Sequence, residues 1–303
     1  MKINKGILFA IVTTIISGIS IFINKFVVSS VNSPLVFTTT KNTIVGLLIL
    51  FFVLSTGKYK KIKDLNKDQL IKLGLVGIIG GSLPFYLFFE GLSRIPAINA
   101  AIIQKTLVFW VAILAFVFLK ERISKTQVVG LVFLLAANLF IGGFKGFSLS
   151  IGELLVLMAT ILWSVETIIA KKVLKKVDSN LVTLARMTFG ALILLTFTTT
   201  TSFSDLIEVF SLTSMQLFWI SVTSFSLFAY VISWYKALSK APAITVTSIL
   251  AASPLITNLL SVIFITHTPG ALLSTQTALL LMGTMIFIVS SKKHKTNRLV
   301  QEI

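Results

Sequence analysis

Cysteine is absent from all 303 residues, acidic residues number only 10, and histidines only two. Without cysteine there is no disulfide framework, no thiolate metal site and no thiol nucleophile. Charge of any sign is scarce as well, at 12% against about 25% in a soluble domain. Apolar residues make up 55% of the chain and the mean hydropathy is +0.97. One soluble core of this size could not hide that much apolar surface. The apolar runs are separated by gaps shorter than twenty residues, which leaves no room for a separate soluble domain. A chain-encoded ATPase and a secreted or cytosolic globular enzyme are therefore excluded.

The runs, bounded by charges, proline and glycine, lie near 6–28, 34–55, 70–91, 97–119, 126–143, 152–171, 180–200, 214–235, 242–265 and 273–291. A bilayer crossing takes about 20 apolar residues, with tilt absorbing differences in length. Backbone in hydrocarbon must satisfy its own hydrogen bonds, so the pattern predicts ten transmembrane helices in an all-α integral membrane protein. The start, Met1-Lys2-Ile3-Asn4-Lys5 followed by an apolar stretch, imitates a signal peptide. The stretch is long and lacks a small-x-small cleavage site, so it reads as a retained first helix.

The formal charge of +17 imitates a nucleic-acid footprint, but the positives sit in short segments between apolar runs, where topology signals belong. With the N-terminus inside, 21 of the 27 basic residues fall in inside segments, among them Lys58, Lys60, Lys61, Lys63, Lys120, Arg122, Lys171, Lys172 and Lys240. Outside segments hold Lys25, Arg94 and Lys145. This asymmetry predicts a multi-pass protein of the plasma membrane with both termini cytoplasmic.

Self-similarity is the most informative feature. An offset of 146 lays Leu92-Ser93-Arg94-Ile95-Pro96-Ala97-Ile98 on Leu238-Ser239-Lys240-Ala241-Pro242-Ala243-Ile244. An offset of 145 lays Lys41-Asn42-Thr43 on Arg186-Met187-Thr188. The expected organisation is a five-helix repeat over 1–145 and a second over 146–303, the latter ending in a short basic tail. Five is odd, so the second copy must be inverted. Inverted repeats suit carriers whose halves rock about a central site.

These residues resemble the drug/metabolite transporter superfamily, specifically its EamA family. The most specific stretch is Gly91-Leu92-Ser93-Arg94-Ile95-Pro96-Ala97, an apolar helix, then Leu119-Lys120-Glu121-Arg122-Ile123-Ser124. Ala237-Leu238-Ser239-Lys240-Ala241-Pro242-Ala243 opens the second copy of this unit, with Pro254 inside the helix that follows. Lys41 and Arg186 match the family's basic residue early in helices 2 and 7. The second copy departs at its exit, Ile265-Thr266-His267-Thr268, which lacks the acidic–basic pair. Position 108, the counterpart of Pro254, is valine, and Glu90 stands where a small residue is usual. The resemblance implies a ten-helix carrier of small organic solutes, in many members an exporter. It also implies that helices 5 and 10 are peripheral and that the others surround a cavity.

Four ionisable residues fall within spans: Lys41, Lys105, Glu166 and Arg186. Each costs about 2.5–3.5 kcal/mol at mid-membrane if lipid-facing, so protein or water must receive them. Lys41 and Arg186 sit about 10 Å deep at corresponding places and read as structural, bonding helix-end carbonyls. Glu166 shares a helix face with Trp163 at i−3. It can bind a solute ammonium, exchange a proton, or pair with Lys171 or Lys172. Gln104 and Lys105, beside Trp110, suit an amphipathic ligand, and Lys105 can bind a solute carboxylate or phosphate or pair with Glu166. Thr247, Ser248, Ser253 and Asn258 are cavity candidates or interhelical contacts. Pro84 and Pro254 break the helical ladder. Gly74, Gly77, Gly80 and Gly81 permit close approach to helix 3. Glu121 with Arg122 reads as a structural or gating ion pair. Trp219, Trp234 and Tyr235 read as interface anchors.

The resulting expectation is a secondary transporter of small metabolite- or amino-acid-like solutes, an exporter working by alternating access. The alternatives are an intramembrane lipid-modifying enzyme and a non-transporting membrane subunit. His267 and His294 lie in a loop and a tail, and no close carboxylate pair lies within a span, so the enzyme has little to work with. The implied partners are a small-molecule solute and the bilayer, with no nucleic acid and room for a homodimer. No cofactor, metal or catalytic residue is implied.

Overall fold

The computed structural model describes residues 4–28, 34–140, 146–267 and 274–301, and apart from turns and short connections these are helical. The first five runs become α1 (Lys5–Val28), α2 (Pro34–Ser55), α3 (Lys67–Gly81) with α4 (Leu83–Leu92), α5 (Ala97–Lys105) with α6 (Leu107–Leu114), and α7 (Lys125–Leu139). The rest become α8 (Ile151–Val173), α9 (Ser179–Thr201), the short α10 (Phe203–Ile207), α11 (Ser214–Lys240), α12 (Ala243–Leu250) with α13 (Ser253–Ser261), and α14 (Thr275–Gln301). Among the described residues, eight helical stretches are long and apolar enough to cross a membrane; Lys125–Leu139 and Thr275–Ser290 are shorter apolar helices. The described ends agree with the apolar runs to within about five residues, except that α14 continues past the run ending near 291 to Gln301. Positions 141–143 and Thr268 lie outside the described residues, as do the side chains of Lys25, Lys145 and His294.

Polar residues start the helices where the chain leaves the apolar interior. Asn66, Ser124, Ser150 and Thr213 each accept from the backbone three residues on, while Gln69, Gln127, Glu153 and Gln216 bond back. These reciprocal caps satisfy amide groups that the helix leaves free. Asp178 starts α9, accepting from the Asn180 amide at 2.9 Å and from Lys61 at 3.0 Å. Partial burial pushes the Asp178 carboxyl up, but the hydrogen bonds from Asn180 and Lys61 outweigh it and hold the group below its ordinary value.

Three spans are broken. α3 gives way to α4 at Ser82, just ahead of Pro84, and α12 gives way to α13 at Ala251–Ala252, just ahead of Pro254. Both prolines sit in the first turn of the new half-helix, where no N–H donor is needed. The third break, α5 to α6 at Thr106, has no proline. The Thr106 hydroxyl donates to the Ile103 carbonyl at 2.6 Å and accepts from Trp110 at 3.1 Å. A side chain that bonds back to the preceding turn competes with the ladder, and here it replaces the missing proline. The spans containing α6 and α13 also end alike: each closes in a π-turn, 115–119 or 262–266, followed by a left-handed residue, Lys120 or His267.

The packing pairs are regular. α1 lies along α11 and α8 lies along α3 and α4; α2 pairs with α9 and α7 with α14. α7 and α14 meet through Gly130 and Gly283, whose missing side chains let the backbones approach. In α3, Gly77, Gly80 and Gly81 are closely covered by α8 and α9, whereas Gly74 has nothing within 4 Å of where a Cβ would stand. The expected packing role therefore holds for three of the four glycines, and Gly74 lies on the open face.

Candidate functional site

The α5–α6 and α12–α13 breaks face one cavity of about 270 Å³, reached also by α1, α2, α4, α8, α9 and α11. Residues at both breaks line it: Lys105, Leu107 and Val108 on one side, and Leu250, Ala251 and Ser253 on the other. Half-helices that stop and restart at a cavity bring backbone carbonyls and amides to its wall, an arrangement typical of carrier binding sites.

Glu166 projects from the middle of α8 and is 2% exposed. Its Oε1 accepts the Tyr235 hydroxyl from α11 at 2.6 Å. Arg186 of α9 faces the same group, with its guanidinium 6.0 Å from the Tyr235 ring centroid. Attraction runs between Arg186 and Glu166, while the Arg186 Nε has no hydrogen-bond partner. The trio fits because Gly80 has no side chain. A Cβ there would lie 2.5 Å from Glu166 Cγ and 3.1 Å from Arg186 Nε. The Gly80 carbonyl accepts from the Trp163 indole at 3.3 Å, and Phe85 and Phe88 pack against that indole ring.

Lys105 reaches the cavity from the last turn of α5 and donates to the Ser253 hydroxyl at 3.3 Å. Gln104 and Thr167 also line the wall. Asn42, 2% exposed, lies in the wall with neither Oδ1 nor Nδ2 hydrogen-bonded. Buried amides without partners are rare in folded proteins and mark a place where a ligand or water is expected.

Of the sequence-nominated cavity residues, the structure brings together Glu166, Lys105, Gln104, Trp163, Thr247 and Ser253. Trp110, Ser248 and Asn258 do not line this cavity. The Trp110 indole bonds Thr106 instead, and Ser248 is fully buried with an unpartnered hydroxyl. Several roles need correcting. Arg186 does not bond helix-end carbonyls; it stands beside Glu166. Lys41 does not mirror it, lying 4.8 Å over the Phe37 ring. Glu166 pairs with Tyr235 rather than with Lys171, whose ammonium donates to the Leu238 carbonyl and, at 2.7 Å, to the Ala241 carbonyl. Lys172 stacks over Phe118. Glu121 forms no ion pair with the exposed Arg122; it accepts from the Ala243 and Ile244 amides at 2.9 and 3.2 Å. Trp234 and Tyr235 are not interface anchors, being 4% and 0% exposed. Glu90 pairs with Arg94 one turn on.

Tyr235, Tyr230, Asn42 and Ser17 also belong to this centre or its wall and were not singled out for it in the sequence. Asn42 carried a signal, since a buried amide next to a charged residue within an apolar run has to face something polar. Tyr235 carried none, because nearness to a span end suggests an interface anchor as readily as a buried donor.

A family model described as the EamA-like transporter family matches residues 4–143 and again residues 150–289. An uncharacterized transporter of Archaeoglobus fulgidus is 25% identical over 234 residues, covering 75% of this chain and 78% of that protein. The uncharacterized transporter YyaM of Bacillus subtilis is 27% identical over 163 residues, 52% of each chain. A crystal structure superposes with a TM-score of 0.78 at 16% identity, over 96% of this chain and 98% of that one, a likeness of fold. The two family matches together take in nearly the whole sequence, so the chain belongs to the EamA-like transporter family.

Proposed function

We propose that this membrane transporter is a secondary carrier that exports small metabolite-like organic solutes by alternating access. The observation that carries this reading is the cavity at the two broken helices, which holds Lys105, Glu166 and Arg186 within otherwise apolar spans. Burying three ionisable groups in a membrane is costly and is seldom retained without a pathway to serve. The reading takes the chain as ten crossings in two inverted halves, 1–145 and 146–303. The matched π-turn exits, the corresponding breaks at Thr106 and Ala252, and the reciprocal packing of α1 on α11 and α8 on α3 and α4 support it. Exposed Lys60, Lys61, Lys63, Lys120, Lys172, Lys175 and Lys240 lie on or beside connections linked by the Lys61–Asp178, Lys172–Phe118 and Lys171–Ala241 contacts, which supports their sharing one end of the bundle. By the positive-inside rule that end faces the cytoplasm of the plasma membrane, together with both termini.

Flux of solute panels through the purified protein in liposomes tests the reading. Glu166→Gln and Lys105→Ala are each expected to lower flux by about ten- to a hundredfold, the scale of a lost charged hydrogen bond, while both variants still insert. Unchanged flux in both would reduce these residues to packing. Tyr235→Phe keeps the ring under Arg186 but deprives Glu166 of its donor. We expect a smaller loss there, about tenfold, measured in the same assay.

A further inference from the structure

We propose that the cavity takes a small organic monoanion, a carboxylate with an apolar body, and that Lys105 and Arg186 hold its charge. This deepens the carrier reading and rests on it.

The charge balance points this way. The wall holds two cations, Lys105 and Arg186, and one carboxylate, Glu166. Glu166 is already engaged by the Tyr235 hydroxyl and lies beside Arg186. Among the described residues, Lys105 has only the neutral Ser253 hydroxyl as a hydrogen-bond partner. An ammonium in a low-dielectric interior needs a counter-charge, and among the described residues no second carboxylate lines the cavity. The solute is the natural source of that charge.

Independent polar groups stand ready for the same ligand. The Arg186 Nε is an unpartnered donor, and the buried Asn42 amide offers an unpartnered donor and acceptor. The rest of the wall is largely apolar and aromatic, with Phe85, Trp163 and Trp234. A cavity of about 270 Å³ stands near the small end of ligand sites, which run from about 300 to 1,000 Å³, and has room for a ring or branched chain bearing a carboxylate. A cationic solute would meet two like charges. A zwitterion, neutral overall, would leave the surplus cation of the wall uncompensated. Within the metabolite-like class, the site therefore favours carboxylates that carry no ammonium.

Three probes that share a phenyl ring separate the possibilities: phenylacetate, phenethylamine and phenylalanine. With the purified full chain, calorimetry should show phenylacetate binding at least about tenfold more tightly than either of the others. Lys105→Gln should weaken phenylacetate by about tenfold or more, and Lys105→Arg should retain it to within about threefold. Equal or tighter binding of phenethylamine or phenylalanine overturns the proposal. So does failure of all three to bind, or phenylacetate binding that Lys105→Gln leaves unchanged. Counterflow in liposomes keeps the two readings apart. Lys105-dependent binding of phenylacetate with no flux of any probe sinks the carrier reading and spares the charge preference. Flux of phenethylamine without phenylacetate does the reverse.

Discussion

Gly81→Ala is expected to loosen α3 from α9, lower the thermal unfolding temperature by several degrees, and cut transport at least about tenfold. A methyl at 81 would run into the Arg186 carbonyl oxygen and would lie 2.7 Å from Gly190 Cα. A Cβ on Gly190 would in turn meet Gly81 Cα at 2.5 Å. Every obstacle is backbone, so no side chain can rotate away. Carbon contacts settle near 3.5–4.0 Å, so the helices must part by roughly 1 Å. Overpacking of this kind costs about 1–3 kcal/mol, against about 1 kcal/mol gained in helix propensity. The functional loss follows from position: Gly80 holds Glu166 and Arg186 close, and the next residue sets how near α9 comes. Gly74→Ala is the internal control, because the same helix offers open space there. Thermal unfolding in detergent should show Gly74→Ala as stable as the parent or more so. If Gly81→Ala unfolds at the same temperature as Gly74→Ala, the tight approach of α3 to α9 contributes nothing.

What the sequence could and could not disclose follows from the kind of information it holds. Runs of apolar residues mark most helix ends to within about five positions because a bilayer rewards length and hydropathy directly; α14 continues to Gln301 through basic residues that hydropathy does not count as span. Pro84 and Pro254 marked two breaks because proline removes a donor wherever it stands. The break at Thr106 stayed hidden because a hydroxyl competes with the ladder only in some rotamers, and sequence does not record rotamers. The offset of 145 that lays Lys41 on Arg186 suggested one shared role, yet their neighbours differ. The repeat tells how deep a residue sits, not which side chains the other half turns toward it. The same limit explains Lys171 and Glu121. Nearness in sequence offers both a local partner, whereas each bonds the α11–α12 connection, about 70 and 120 residues away.

That connection carries the other large expected effect. Gly6 of α1 packs against the backbone of Lys240 and Ala241, where a Cβ would come within 2.7 Å. Lys171 holds carbonyls at the end of α11, and Glu121 holds the first amides of α12. Carbonyl and amide ends are thus each met by the charge that suits them. Three elements from different parts of the chain close over one turn at the basic end of the bundle. In the carrier reading this is the cytoplasmic closure, and it has to open once per cycle. Glu121→Ala leaves two helix-starting amides without an acceptor and Lys171 without a nearby counter-charge. Removing charged hydrogen bonds at this scale costs about 2–3 kcal/mol, which shifts a two-state equilibrium by about thirty- to a hundred-and-fiftyfold toward the form open at the basic end. The absence of native cysteine makes the shift readable. A single Ser17→Cys in the cavity wall should react slowly with a membrane-impermeant thiol reagent applied from the basic side. With Glu121→Ala added, it should react at least about tenfold faster from that side and more slowly from the other. Equal acceleration from both sides would indicate loosening of the whole bundle rather than release of a closure, and no acceleration would show that Glu121 only caps α12.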